Sequence, residues 1–465
     1  MNRTYLAADF GGGSGRVIAG TILHDGSLQL SEIHRFTNRL VTLGDTTYWD
    51  FPALYADMLE GIGKAVKQGL HISGIAVDTW GVDFGFIDRC GHLLSLPVSY
   101  RDASVAGSTD RYFGNADRGE HYREAGIQIM DINSLYRLCD IKRNSPHLLE
   151  AADRLLFMPD LFSYFLTGSP NNEYTIASTS ELIDPVNRTW NESLIASAEL
   201  PRRLFGDIVY PGSIRGHLTD AVRKTVGIDY EVPVIAVGSH DTASAVYAVS
   251  STFCADGTAF LSSGTWSLLG VALDAPVLTD DARMGGFTNE GGVDYTTRFL
   301  QNITGLWILQ NLMAQWRSRN LPVDYATMID GARASSFNAI IDVDDPCFHS
   351  PDSMEDAICT YLSKKSLPVP QSQADMVRCV LLSLADRYRR GIESLNRLLP
   401  TPVRRLEIIG GGSKNTLLNE LTAQATGLPV TAGHAEATAI GNILLQARTT
   451  GAINSPTDIH SIDFT

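Results

Sequence analysis

An α/β fold in two lobes is predicted by three observations. The chain has 465 residues, more than a single hydrophobic core usually fills. Short apolar runs of strand character end repeatedly at an aspartate or a glycine cluster and give way to helical spacing, the alternation of an α/β protein. The succession of strand, glycine turn and strand that opens the chain returns near its middle, so the second half begins as the first does. On this basis the lobes are drawn over residues 1–245 and 246–465.

Composition narrows the partners. Lys and Arg number 37 against 52 Asp and Glu, a formal net charge of −15, with no basic run or basic-aromatic tract, so nucleic acid is not expected as a partner. An acidic chain still binds a polyphosphate where backbone amides and a metal ion supply a local positive field. The N-terminal MNRTYLAADF lacks the apolar core of a signal peptide, and no apolar run is long enough to span a membrane. A cytoplasmic protein with no membrane partner is the expectation. Cys90, Cys139, Cys254, Cys347, Cys359 and Cys379 are scattered without C-x-x-C spacing and read as reduced and buried. No segment marks a subunit interface, and a monomer or weak homo-oligomer is expected.

The first strand, from Tyr5, ends in Asp9 and runs into Gly11-Gly12-Gly13-Ser14-Gly15-Arg16. The lysine of a P-loop is absent, and Arg16 stands where a dinucleotide fingerprint needs its third glycine. Val17 to Leu23, Asp25-Gly26 and Leu28 to Leu30 instead read as strand, turn and strand, because Asp-Gly between two strand-like runs is a strong hairpin signal. A glycine turn of this kind exposes amides that wrap phosphates, and Asp9 beside it is a candidate for holding Mg²⁺, directly or through water. A tight hairpin with no ligand is the alternative.

An extended segment ends at Tyr48-Trp49-Asp50, and Leu54, Met58, Ile62 and Val66 set the spacing of an amphipathic helix over Pro52 to Leu70. Ile75 to Val77 reads as a central strand that delivers Asp78, Thr79, Trp80 and Gly81 to its end. Carboxylate, hydroxyl, indole and open backbone together suit a sugar, which needs hydrogen bonds and an apolar face; turn or strand-edge roles for the aspartates are the alternative. Met158 to Gly168 reads as a helix begun by Pro159 and ended by glycine. Glu173 to Ser180 reads as polar scaffold or loop.

Val232 to Val246, VPVIAVGSHDTASAV, combines a short buried strand, a break at Gly238-Ser239 and a helix start of small residues. His240, Asp241 and Thr242 thereby fall between the carboxyl end of a strand and a helix N-terminus, where α/β sheets bind ligands. Asp241 there either takes the proton of a substrate hydroxyl during phosphoryl transfer or merely caps the helix. Thr258 to Gly270 repeats the glycine hairpin and offers Thr265 to a phosphate, which suggests ATP in a cleft between related lobes. Asn302 and Gln310, in the segment Gln301 to Gln310 whose last part is helical in spacing, face either that cleft or solvent. Gln373 to Leu399 is the longest helical pattern and reads as core. Leu406 to Ile409 is a strand stopped by Gly410-Gly411-Gly412, whose bare backbone lets a flat ring lie on it; Lys414 to Gly427 is a helix closed by glycine.

These segments resemble the FGGY family of carbohydrate kinases, within the actin-like ATPase superfamily, over essentially the whole chain. The likeness is carried by Asp9 to Arg16, Tyr48-Trp49-Asp50, DTWGVDF from Asp78, PVSYRD from Pro97, Met158-Pro159-Asp160, SHDTASAV from Ser239, LSSGTWSL from Leu261, NITGLW from Asn302 and Ile409 to Asn415. The resemblance implies two actin-like (ribonuclease H-like) lobes with an ATP and sugar cleft between them. It implies phosphoryl transfer from Mg-ATP to O1 of L-rhamnulose, giving L-rhamnulose 1-phosphate and ADP in L-rhamnose catabolism. Asp241 would be the general base, with Gly81, His240, Thr242 and Asn302 also holding the sugar. Gly12, Gly13, Ser14, Gly15, Arg16 and Thr265 would touch the ATP phosphates, and Gln310 and Gly411 the nucleotide. One departure is Gly12-Gly13, where related chains usually carry Ala-Ser, which leaves phosphate contact there to backbone amides. The alternative acceptors are other ketoses or polyols, among them L-fuculose, xylulose and ribulose. The alternative activities are an actin-like ATPase without a small-molecule acceptor and a catalytically silent sugar sensor.

Overall fold

Two mixed sheets carry the fold. The computed structural model describes every residue except Met1, Asn115, 250–255, Ser350 and Thr465. In chain order the strands of these two sheets are β1 (Arg3–Phe10), β2 (Ser14–Ile22), β3 (Ser27–Thr37), β4 (Ile72–Thr79), β5 (Ile214–His217), β6 (Pro233–Ile235), β7 (Thr258–Ser263), β8 (Trp266–Leu273), β9 (Phe287–Gly291), β10 (Thr297–Thr304), β11 (Arg405–Ile409), β12 (Val430–Ala432) and β13 (Ser461–Phe464). The first sheet runs β5-β6-β4-β1-β2-β3-β13 and the second β9-β10-β8-β7-β11-β12.

Each sheet is organised on a glycine hairpin. β1 pairs antiparallel with β2 and parallel with β4; β7 likewise pairs antiparallel with β8 and parallel with β11. The expected Asp25-Gly26 turn joins β2 to β3, with Gly26 at φ +81°, a left-handed conformation that glycine adopts without steric cost.

Helices cover the faces. They include α1 (Phe51–Lys67), α2 (Met158–Thr167), α3 (Asp241–Tyr247), α4 (Trp307–Ser318), α5 (Gln373–Leu398), α6 (Thr416–Thr426) and α7 (Ala437–Thr449). α1 is capped by the Asp50 side chain, which accepts from the Ala53 amide, and buries Leu54, Met58 and Ile62. α5 buries Val377, Leu381, Leu384, Tyr388, Ile392 and Leu395, the stripe its spacing predicts. Full burial of an aliphatic side chain of this kind contributes about 1.5–3 kcal/mol before conformational entropy is charged against it.

The chain end returns to the first sheet. Ile440, Ile443 and Leu444 of α7 pack on Tyr5, Ala7 and Ile18, and β13 pairs with β3 in parallel. Residues 437–464 therefore sit with the first sheet although they follow residue 245 in sequence, because the apolar face of β1 and β2 requires a covering helix. Among the described cysteines, Cys379 is buried and Cys139 and Cys359 are half-buried, but Cys90 and Cys347 are exposed. The expectation of burial fails for those two, which lie in a surface turn and in the short 3-10 segment Pro346–Phe348; Cys254 lies outside the described residues. Among the described residues no helix is long and apolar enough to cross a membrane.

Candidate active site

The two glycine hairpins point into one cavity of ≈ 320 Å³. Of the residues expected at a site, Gly12, Trp80, Gly81, His240, Asp241, Thr242, Thr265, Asn302 and Gly411 line it. Asp9, Gly13, Ser14, Gly15, Arg16, Asp78, Thr79 and Gln310 do not; Ser14 opens β2 and its carbonyl accepts from the Gly11 amide at 3.0 Å.

Asp241 is the first residue of α3, and His240 occupies the cap position. The structure thus departs from the reading of Asp241 as a helix cap: its Oδ1 accepts from the amide and hydroxyl of its neighbour Thr242, at 2.6 and 3.2 Å. Burial pushes its carboxyl above the usual range; His240 opposes the shift and the charge of Asp9 adds to it. The approach to α3 is tight. A β-carbon on Gly238 would meet the Ser244 amide nitrogen at 2.7 Å, and the Thr79 amide donates to the Ser239 carbonyl at 2.9 Å, so the end of β4 and the start of α3 are fixed to each other.

His240 is held from the opposite lobe. Arg298 Nη2 on β10 lies 3.1 Å from His240 Nδ1, and Glu290 Oε2 is 3.1 Å from both groups. Nδ1 thus meets both a donor, the guanidinium, and an acceptor, the carboxylate, while Nε2 faces Asp241 Oδ1 at 3.5 Å. Segment 173–180, expected as scaffold or loop, is a buried support for the same residues. Glu173 accepts from the Thr175 amide at 2.8 Å, the Thr175 hydroxyl at 2.6 Å and the Ser239 amide at 3.2 Å. Thr175 Oγ1 in turn accepts from the His240 amide at 3.2 Å.

The parallel register of β1 and β4 sets Asp9 opposite Asp78. Asp78 is fully buried and belongs to the interior, not to the cavity wall as expected: its Oδ2 accepts from Asn442 Nδ2 of α7 at 2.6 Å. Gln446 on the next turn donates to Asn442 Oδ1 at 2.7 Å and to the Leu6 carbonyl at 3.0 Å. Thr79 is also buried and its hydroxyl donates to the Trp80 carbonyl at 2.8 Å. Burial, then the charge of Asp9, holds the Asp78 carboxyl well above the usual range, against the hydrogen bond from Asn442; Asp241 adds to the rise. Its other oxygen, Oδ1, is buried with no hydrogen-bond partner. Clustered carboxylates with an unpaired oxygen are the hard donor set that fits a divalent cation such as Mg²⁺.

The glycines divide by role. Gly15 is a packing glycine, since a β-carbon there would stand 2.2 Å from the Phe36 ring, and a β-carbon on Gly412 would stand 2.0 Å from Ser263 Oγ. Gly13 and Gly411 have open space, with nothing within 4 Å of a built β-carbon. Arg16 turns from the cavity to pair with Asp9 at 2.5 Å and with Glu436. At the second hairpin, Thr265 Oγ1 donates to Gln310 Oε1 at 3.2 Å, which places Gln310 behind the threonine.

On the sugar-type wall, the Trp80 and Trp49 indoles both donate to Asp83 Oδ2, at 2.9 and 2.6 Å, and Arg137 pairs with its Oδ1 at 2.5 Å. Asp83 is therefore structural and fixes the indole face. Asn302 Nδ2 donates to Gln128 Oε1 at 3.0 Å. Gln128, Asn133, Thr179, Glu290 and Arg101 line the cavity too and were not among the expected site residues; only Arg101 stood in a motif already singled out.

The FGGY family of carbohydrate kinases matches through its N-terminal domain over residues 4–248 and its C-terminal domain over residues 259–450. The chain is similar to a protein named rhamnulokinase from Bacteroides thetaiotaomicron, 44% identical over 451 residues, covering 97% of this chain and 92% of the relative. It is also similar to one of that name from Oceanobacillus iheyensis, 39% identical over 446 residues, covering 96% and 93%. Among solved structures it shares its fold with gluconate kinase from Lactobacillus acidophilus (TM-score 0.79, 14% identity, 99% of this chain and 92% of that one). It shares it as well with Plasmodium falciparum glycerol kinase with ADP (TM-score 0.78, 14% identity, 98% and 91%).

Proposed function

Because the chain belongs to the FGGY family of carbohydrate kinases, whose members use ATP, we propose that it transfers the terminal phosphoryl group of ATP to O1 of L-rhamnulose. The chemistry is carried by one observation: the Asp241 carboxylate stands at a cavity that both glycine hairpins line. The choice of acceptor is supported by the name of its near full-length relatives.

In the step itself the O1 oxygen bonds to the γ-phosphorus as the bond from that phosphorus to the β,γ-bridging oxygen breaks. ADP leaves with the electron pair, and the hydroxyl proton passes to Asp241. Little covalent work falls to the protein in so loose a transition state, so positioning and charge stabilisation dominate. The backbone of the Gly11–Gly13 and Gly264–Thr265 turns receives the phosphates from two sides, while Gly411 leaves room for the base. The sugar lies on Trp80 and Gly81, with His240, Thr242 and Asn302 as its polar contacts. Glu173, Thr175, Glu290 and Arg298 orient the Ser239-His240 segment. Asp9 and Asp78 are the residues that would hold Mg²⁺, which when bound neutralises charge on the phosphate oxygens.

ADP release by the purified protein with Mg-ATP, measured against L-rhamnulose, L-fuculose, D-xylulose, L-ribulose, glycerol and no acceptor, tests the reading. Release with L-rhamnulose in excess of all others is the expected result. Preference for another acceptor overturns the substrate but not the chemistry, and equal release without acceptor overturns both.

A further inference from the structure

The cavity must accept a polyphosphate, yet its own charges are mainly negative. Asp241 and Glu290 line it, and Asp9 and Asp78 lie behind it. The arginines close by are committed elsewhere: Arg16 to Asp9 and Glu436, Arg137 to Asp83, and Arg298 to Glu290 and His240. Among the described lining residues Arg101 is the only lysine or arginine, and no described carboxylate lies within ion-pair distance of it. It is exposed. Its Nε donates to the Tyr100 hydroxyl at 3.1 Å and its Nη2 to the Gly12 carbonyl at 3.2 Å, which sets the guanidinium beside the first glycine turn. Tyr100, Arg101 and Asp241 line the same cavity, so the pair shares it with the base.

We propose that Arg101 is a catalytic residue of the phosphoryl transfer, its guanidinium meeting the γ-phosphoryl oxygens between the Gly12 turn and Asp241. The inference rests on the kinase reading above. A planar, permanently charged fork suits phosphate oxygens, and charge placed on the migrating group acts most strongly in the transition state. The hydrogen bond to Gly12 keeps the fork oriented at the turn before nucleotide arrives. As the γ-phosphorus passes from the bridging oxygen of ADP to O1, Arg101 neutralises charge on the equatorial oxygens and exchanges no proton.

The test compares wild type with Arg101→Gln and Arg101→Lys, using kcat with saturating sugar and calorimetric affinities for ADP and for a non-hydrolysable ATP analogue. The expected result is a kcat lower by about 10²–10³ in the glutamine variant, with partial recovery in the lysine variant. Affinity for the ATP analogue falls while that for ADP stays unchanged. A kcat within about threefold of wild type, or an equal loss for ADP and the ATP analogue, overturns the proposal in favour of a structural role at the glycine turn. A wild-type protein that phosphorylates no acceptor overturns the kinase reading instead, and the two failures are told apart by that control.

Discussion

The backbone carbonyl of Ser244 on α3 faces Gly441 on α7 so closely that a β-carbon on Gly441 would stand 1.8 Å from its oxygen. α3 begins with Asp241, and Asn442, next to Gly441, donates to Asp78. One helix crossing thus sets both the proposed base and the buried carboxylate behind it, and it explains the small residues Ala243, Ser244 and Ala245. Gly441→Ala has no flexible side chain to displace, only backbone. It is expected to cost at least about 1–3 kcal/mol of stability and to lower kcat by shifting α3. A melting temperature equal to wild type would show that the crossing relaxes freely.

Asp241→Asn keeps the shape and the contact with Thr242 but removes the proton acceptor. Turnover is expected to fall by about 10²–10⁴ while sugar affinity is kept. Since burial raises the wild-type carboxyl and only the ionised form accepts a proton, kcat/KM loses activity on the acid side at a pH above about 3.9, the value of a free aspartate. An acid limb at or below the free value would contradict the raised carboxyl.

Local signals carried most of the fold. The glycine hairpins, the Asp-Gly turn and the α5 stripe each depend on neighbours within a few positions, and their strands and helix stand where they were expected. The structure departs where a residue's fate is decided by a distant partner. Asp78 resembled a sugar ligand beside Trp80, but Asn442, 364 positions away, turns it inward. Gly15 belonged to a run of glycines, yet Phe36 on the adjacent strand decides its role. The clamp on His240 joins Arg298 on β10 and Glu290 on β9 to a loop in the other lobe; no periodicity reports such a pairing. The return of α7 and β13 to the first sheet was hidden for the same reason.

The first hairpin makes two opposite forecasts. Gly13 is exposed with nothing within 4 Å of a built β-carbon, so Gly13→Ser is expected to leave stability unchanged. Its hydroxyl supplies one added phosphate contact, worth about 0.5–1.5 kcal/mol, or roughly a two- to tenfold fall in KM for ATP. Gly15→Ala places a methyl 2.2 Å from the Phe36 ring and is expected to cost about 1–3 kcal/mol. Thermal melting and ATP titration of the two variants check both; an unchanged KM in Gly13→Ser would place that position away from the phosphates.

Glu173 supplies the last forecast, because two physical effects oppose each other there. Burial pushes its carboxyl up to about 7, against the hydrogen bonds from Thr175 and Ile176. The unfolded chain releases this proton near 4.5, the ordinary value of a glutamate, so between that pH and about 7 the fold retains a proton that the unfolded state has lost. A raised acid of this kind contributes stability that is fully present below the unfolded value and is lost as pH rises through the folded one. Glu173→Gln does not titrate, so the melting temperature of wild type is expected to decline relative to that variant as pH rises from about 4.5 to about 7, and to run parallel above. A difference that stays constant across that range would mean that the donors from Thr175, Ile176 and Ser239 keep the carboxylate ionised in the fold. In either case the variant sets an NH2 group against backbone N–H donors among Thr175, Ile176 and Ser239. Loosening of the His240 segment, read as a higher KM for sugar than for ATP, is expected at every pH.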